Sequence, residues 1–152
     1  MRAFGAKIGR NVHIYPSVRV TIPWNIVIED EAAVGDHAIL YALGPIRIGK
    51  RATVSQYAHL CAGTHDWRDP AMPLIKAPIV IGDDAWVCAN AFVGPGVEVG
   101  DNAILGAGAV TMKTVEADVI VVGNPAKAIG KRGGGDPSTL VDGSSSAREA
   151  RD

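Results

Sequence analysis

Four histidines and two cysteines are the side chains of this chain best suited to move a proton near neutral pH or to attack an activated carbon. Neutral imidazole suits general-base work, because its ordinary pKa lies near the working pH. His65 is the histidine to examine first. It opens a stretch, Thr64-His65-Asp66, where a regular pattern running through most of the chain breaks off, and long excursions from a rigid scaffold often carry function. His13, His37 and His59 sit at regular places in that pattern and read as outward-facing surface residues. The four histidines fall at different offsets within their repeats, so they do not stack into a zinc site. Cys61 and Cys88 also fall at different places in their turns and read as free thiols. With no histidine or lysine known to be near, neither makes a case for a covalent enzyme intermediate. Asp66 is a candidate either to orient the His65 imidazole or to cap the loop, as aspartate does in turns.

The element that must position these groups is a six-residue repeat. It is clearest in Ile81-Gly82-Asp83-Asp84-Ala85-Trp86 and continues through Val87-Cys88-Ala89-Asn90-Ala91-Phe92 to Leu105-Gly106-Ala107-Gly108-Ala109-Val110. Each unit starts on an aliphatic residue, often has Gly second, and carries a small residue fifth. This period marks a parallel β-helix. A longer period lies over it: Ile8, Ile28 and Ile48 are 20 residues apart, and Ile81 and Val99 are 18 apart. Each turn of the coil therefore has three short faces. Val, Ile and Leu at 8, 14, 20, 28, 34, 40, 48, 54 and 60 should stack inside it. Gly, Asp or Asn at the corners should take the tight or left-handed backbone states. Ile48 and Ile81 are 33 apart, one turn plus 13 residues. The extra residues belong to a loop from about Asp66 to Pro78, which holds Pro70, Pro73 and Pro78.

Composition agrees with a narrow aliphatic core: 47% of residues are hydrophobic and only 5% aromatic. The length fits one domain, residues 1–132, followed by a Gly- and Ser-rich tail, 133–152, that reads as disordered. A net charge of −1 makes no case for nucleic acid or an acidic membrane surface. No apolar run is long enough to span a bilayer, and the repeat begins so early that no signal peptide is expected. Unpaired cysteines and no signal point to the cytoplasm.

From Lys7 to about Arg132 the chain resembles the hexapeptide-repeat acyltransferases. Within them it most resembles the colanic acid biosynthesis O-acetyltransferases, close to the nodulation, maltose and galactoside acetyltransferase group. Three blocks carry the resemblance: Pro16-Ser17-Val18-Arg19-Val20-Thr21 with Pro23-Trp24-Asn25; Leu60-Cys61-Ala62-Gly63-Thr64-His65-Asp66 with Pro78-Ile79-Val80-Ile81; and Gly123-Asn124-Pro125-Ala126-Lys127. The resemblance implies an all-β, left-handed parallel β-helix with one inserted loop. It implies a homotrimer with sites between subunits, acetyl-CoA as co-substrate, no metal, and a sugar or saccharide hydroxyl as acceptor. His65 matches the family's catalytic histidine. Trp86, Ala89 and Ala107 match residues along the pantetheine groove, and Lys113 and Lys127 match basic residues near the coenzyme's phosphates. One departure is visible. Related enzymes carry an acceptor-holding asparagine about one turn before the histidine, whereas Tyr41-Ala42-Leu43-Gly44-Pro45 has none.

The same scaffold supports N-acetylation of an amino sugar, a γ-type carbonic anhydrase, or a non-catalytic trimer module. The carbonic anhydrase needs three histidines converging on zinc, which this chain does not place. The missing asparagine favours the module, and His65 in its motif argues against it.

Overall fold

The computed structural model describes residues 1–133, so the proposed tail lies outside the described residues apart from Gly133. The chain forms a parallel β-helix of three stacked faces. The first face holds Lys7–Ile8, Ile26–Ile28, Ile46–Ile48, Ile79–Ile81 and Glu98–Val99. The second holds His13–Ile14, Ala33–Val34, Thr53–Val54, Trp86–Val87 and Ile104–Leu105, and is completed by Val119–Val122 and an antiparallel last strand, Lys127–Lys131. The third holds Arg19–Thr21, Ile39–Tyr41, His59–Cys61, Phe92–Val93 and Val110–Thr111.

Each strand is two to five residues long and has no stability of its own. It is held by hydrogen bonds to the turns on either side and by one inward side chain. Ile28, Ile48, Ile81 and Val99 form one such inward column, Val34, Val54, Val87 and Leu105 a second, Leu40, Leu60 and Val93 a third, all essentially buried. Burying each is worth about 1.5–3 kcal/mol. The small fifth residue has a clear place: Ala32, Ala38, Ala52, Ala58, Ala85, Ala91, Ala103 and Ala109 are all buried. In the first turn Ile8, Ile14 and Val20 are only partly buried, because no turn lies beyond them in the described chain.

The corner between the first and second faces shows why glycine recurs second in the repeat. Asp83 Oδ1 accepts the Lys50 amide of the preceding turn at 2.9 Å, and Asp101 Oδ1 accepts the Asp83 amide at 2.8 Å. A Cβ on Gly49 would lie 2.5 Å from Asp83 Oδ1, and one on Gly82 2.5 Å from Asp101 Oδ1. Gly9 stands in the same relation to Asp30, which accepts the Arg10 amide. Glu29 replaces the glycine in the turn whose successor carries Lys50 instead of an acid.

Two expectations need correction. Left-handed backbone is not confined to Gly, Asp and Asn: Glu31, His37, Arg51 and Tyr57 also adopt positive φ. Tertiary stacking overrides residue preference there, as in the stacked rings of His37 and Tyr57, 5.2 Å apart. The excursion is also more than a loop. It leaves the coil as Gly63–His65 and returns as Leu74–Lys76, an antiparallel pair with His65 opposite Leu74. The returning strand is exposed along its length, so no burial pattern announces it. Ile79–Ile81 then pairs with Ile46–Ile48 in register, as if nothing had been inserted.

Candidate active site

His65 ends the outgoing strand of the hairpin. Its Nδ1 lies 2.6 Å from the Met72 carbonyl across the turn. A carbonyl only accepts, so Nδ1 carries the proton, and the Nε2 lone pair faces away. Met72 is held in the left-handed region, φ 45°, and its amide donates to Asp69 O at 2.8 Å. Asp69 Oδ1 accepts the Ala71 amide, and the Asp66 amide donates to Pro73 O at 3.0 Å. The turn is thus wired across itself, and the wiring sets the carbonyl that fixes the imidazole.

Asp66 takes part through its backbone and through Oδ1, which accepts the Arg68 amide at 3.1 Å and Arg68 Nε at 2.9 Å. Among the described residues its side-chain partner is Arg68, which is the capping geometry. Trp67, at the tip, is 80% exposed.

The other residues singled out from the sequence fall into two groups. Trp86 stands outward on the second face, its indole N–H donating to Ser55 Oγ at 2.8 Å. Ala89 and Ala107 stack at the next corner, joined by the Gly108 amide donating to Ala89 O. Gly123-Asn124-Pro125-Ala126 wraps the same edge, exchanging backbone bonds with Val110, and delivers Lys127 into the last strand. Lys113 is not with them. It follows Val110–Thr111 at the opposite edge of the third face, the edge from which the His65 hairpin leaves. Within one chain, the third face separates His65 and Lys113 from Trp86, Ala89, Ala107 and Lys127.

Three features escaped the sequence reading. Asn25 Nδ2 donates to the Ala42 and Leu43 carbonyls at 2.9 and 3.2 Å, so a side-chain amide does reach the corner that lacks the expected asparagine. His59 does not simply face solvent. It is half-buried between the rings of Tyr41 and Phe92, and its Nε2 is buried without a partner. Burial, with a smaller push from the Arg19 guanidinium, holds its pKa below the ordinary 6.5. Arg19 itself lines a groove with Thr21, Tyr41, His59 and Cys61. The signal was in the numbering: 19, 39, 59 and 21, 41, 61 are columns at the 20-residue period. Both cysteines are free, and burial raises the Cys88 thiol above its ordinary value, which disfavours a thiolate. Among the described residues there is no cluster of metal-ligating side chains and no helix long and apolar enough to cross a membrane.

The family model for the bacterial transferase hexapeptide (six repeats) matches residues 78–112. WcaF of Escherichia coli (strain K12), which carries the name of a colanic acid biosynthesis acetyltransferase, is 45% identical over 132 residues, covering 87% of this chain and 72% of that protein. Galactoside O-acetyltransferase of Escherichia coli (strain K12) is 27% identical over 121 residues, covering 80% of this chain and 54% of that one. The hexapeptide-repeat acetyltransferase VCA0836 of Vibrio cholerae O1 biovar eltor, solved with acetyl coenzyme A, superposes with a TM-score of 0.81 at 26% identity, covering 86% of this chain and 73% of the other.

Proposed function

The chain belongs to the hexapeptide-repeat acetyltransferases, and from that premise we propose that it transfers the acetyl group of acetyl-CoA to a hydroxyl of a sugar or polysaccharide precursor, with His65 as general base. The observation that carries the reading is the His65–Met72 bond of 2.6 Å, which in the neutral ring selects the Nδ1–H tautomer and leaves Nε2 to accept. In the proposed step Nε2 takes the hydroxyl proton as the oxygen attacks the thioester carbonyl. The tetrahedral oxyanion collapses, the carbon–sulfur bond breaks, and the thiolate leaves with the proton from the imidazolium. Atoms and charges balance without a covalent enzyme intermediate, in keeping with the raised Cys88 thiol. The step is worth roughly 10²–10⁴-fold in rate.

The placement of the remaining residues supports a ring of identical subunits. Ala89 and Ala107 lie at one edge of the third face, with Trp86 and Lys127 on the adjoining second face, and His65 and Lys113 lie at the other edge. Setting one edge against the opposite edge of the next copy is a head-to-tail contact, which closes when the rotation allows. A homotrimer of this kind would bring a donor groove beside the neighbour's His65. Small side chains at Ala89 and Ala107 would let a pantetheine arm reach backbone polar groups, and the two lysines would meet phosphate charge. The names of the related proteins, with acetyl coenzyme A in one and a galactoside acceptor in another, support the choice of donor and acceptor class.

The test is acetyl-CoA turnover, read as thiol release, against a panel of sugars and nucleotide sugars. His65→Gln should lower kcat by about 10²-fold or more while the melting temperature holds, since His65 is exposed. A variant with near-normal kcat removes His65 from the role. Sedimentation should give a trimer at micromolar concentration, and a fully active monomer would refute the shared site.

A further inference from the structure

The groove on the outer side of the third face has a volume of about 450 Å³ and is lined by Arg19, Thr21, Tyr41, His59 and Cys61 among others. That lies within the range of small-molecule sites, roughly 300–1,000 Å³. Arg19 is exposed in it. Among the described residues it is alone of the seven arginines in having no side-chain hydrogen bond or ion pair. Arg10, Arg47, Arg51 and Arg68 hold carboxylates, and Arg2 and Arg132 hold backbone carbonyls. A guanidinium offers a rigid fork that fits carboxylate or phosphate.

The groove has a direction. Arg19 pairs with Ile39, which pairs with His59, so Arg19 and His59 lie two strands apart, about 9–10 Å. At the His59 end the chain continues through Cys61, whose Sγ sits 3.3 Å from the Gly63 carbonyl, into the strand that ends at His65. Four residues of chain reach at most ~14 Å. The cation is therefore at the far end of the groove and the base beyond the near end.

Resting on the reading of His65 as the base, we propose that this groove binds the acceptor and selects an acidic saccharide, with Arg19 gripping a carboxylate or phosphate remote from the reacting hydroxyl. Thr21 and Tyr41 offer hydroxyls and a ring edge along the way.

Three matched acceptors test it: cellobiose, cellobiouronic acid and cellobiose 1-phosphate. The charged sugars should show a KM roughly 10- to 100-fold below the neutral one, as expected for a charge-assisted bidentate contact, and the gain should shrink as salt rises. The better of the two charged sugars tells uronate from phosphate. Arg19→Gln should collapse the charged-to-neutral ratio of kcat/KM toward one, and Arg19→Lys should recover part of it. Binding of the same sugars to the His65→Gln variant, followed by NMR titration, reads the preference without turnover. Equal binding of all three, or no binding of the charged pair, overturns the proposal. So does an Arg19→Gln variant that dissociates in sedimentation with its acceptor preference unchanged, since Arg19 would then answer a carboxylate of a second copy. Failure of His65 as base appears elsewhere, as turnover surviving in His65→Gln, and leaves the Arg19 preference to be read on its own.

Discussion

Asp66→Ala separates two ways in which a carboxylate beside a catalytic histidine can act. In this structure Asp66 Oδ1 serves Arg68, through its amide at 3.1 Å and its Nε at 2.9 Å. The backbone bond is worth about 0.5–1.5 kcal/mol. The ion pair, with Arg68 mostly exposed, is worth about 0.2–1 kcal/mol. Together they hold the turn by about 1–2 kcal/mol, and that turn carries the Met72 carbonyl bonded to His65. Once the wired turn is no longer the majority state, activity falls by up to tenfold for each 1.4 kcal/mol lost. Asp66→Ala should therefore reduce kcat/KM by at most about 5- to 30-fold. Thiol release from acetyl-CoA, followed across pH 5 to 9 beside the His65→Gln variant, supplies the measurement. A loss of 10³-fold or more would exceed what the turn can account for and would mean that the carboxylate acts on His65 directly. A loss below twofold would mean that the turn stays populated without these bonds.

Gly82→Ala should lower stability by about 3–5 kcal/mol, from overpacking against Asp101 and loss of the carboxylate–amide bond it makes, whereas Gly130→Ala, which meets nothing within 4 Å, should stay within about 0.5 kcal/mol; urea denaturation reads both, and equal effects would refute the corner argument. His59 has a folded-state pKa below 6.5, so the unfolded chain binds its proton first as pH falls. Stability from this group is full above pH 6.5 and is lost as pH drops toward the folded value. His59→Phe should flatten the fall of melting temperature with acid in that window, and an unchanged slope would place the pH dependence elsewhere.

Much of the scaffold was legible because its physics is local. An aliphatic residue every six positions and an alanine before most strands of the second and third faces are what the interior and the corners require, turn after turn. The hairpin was not, because Leu74–Lys76 is exposed and pairs over a short span with a segment that looks like one more repeat. The column at 19, 39 and 59 was open to counting. The burial of His59 Nε2 was not, since it depends on Phe92, which the hairpin displaces from the 20-residue spacing. His65 drew attention by its place in the sequence. The partner that fixes its tautomer is a backbone carbonyl, which no residue type announces.

The in-register pairing of Ile46–Ile48 with Ile79–Ile81 across the excursion bears on how such an enzyme can diversify. The strands of the coil pair beneath the hairpin as if it were absent, with only Gly63 packed against Leu43, so the stretch between His65 and Lys76 can be lengthened, shortened or rewritten while the scaffold stays as it is. Doubling a flexible loop costs only about 0.6 kcal/mol. New acceptors can then be explored by exchanging this one segment, provided that each version returns a carbonyl to His65.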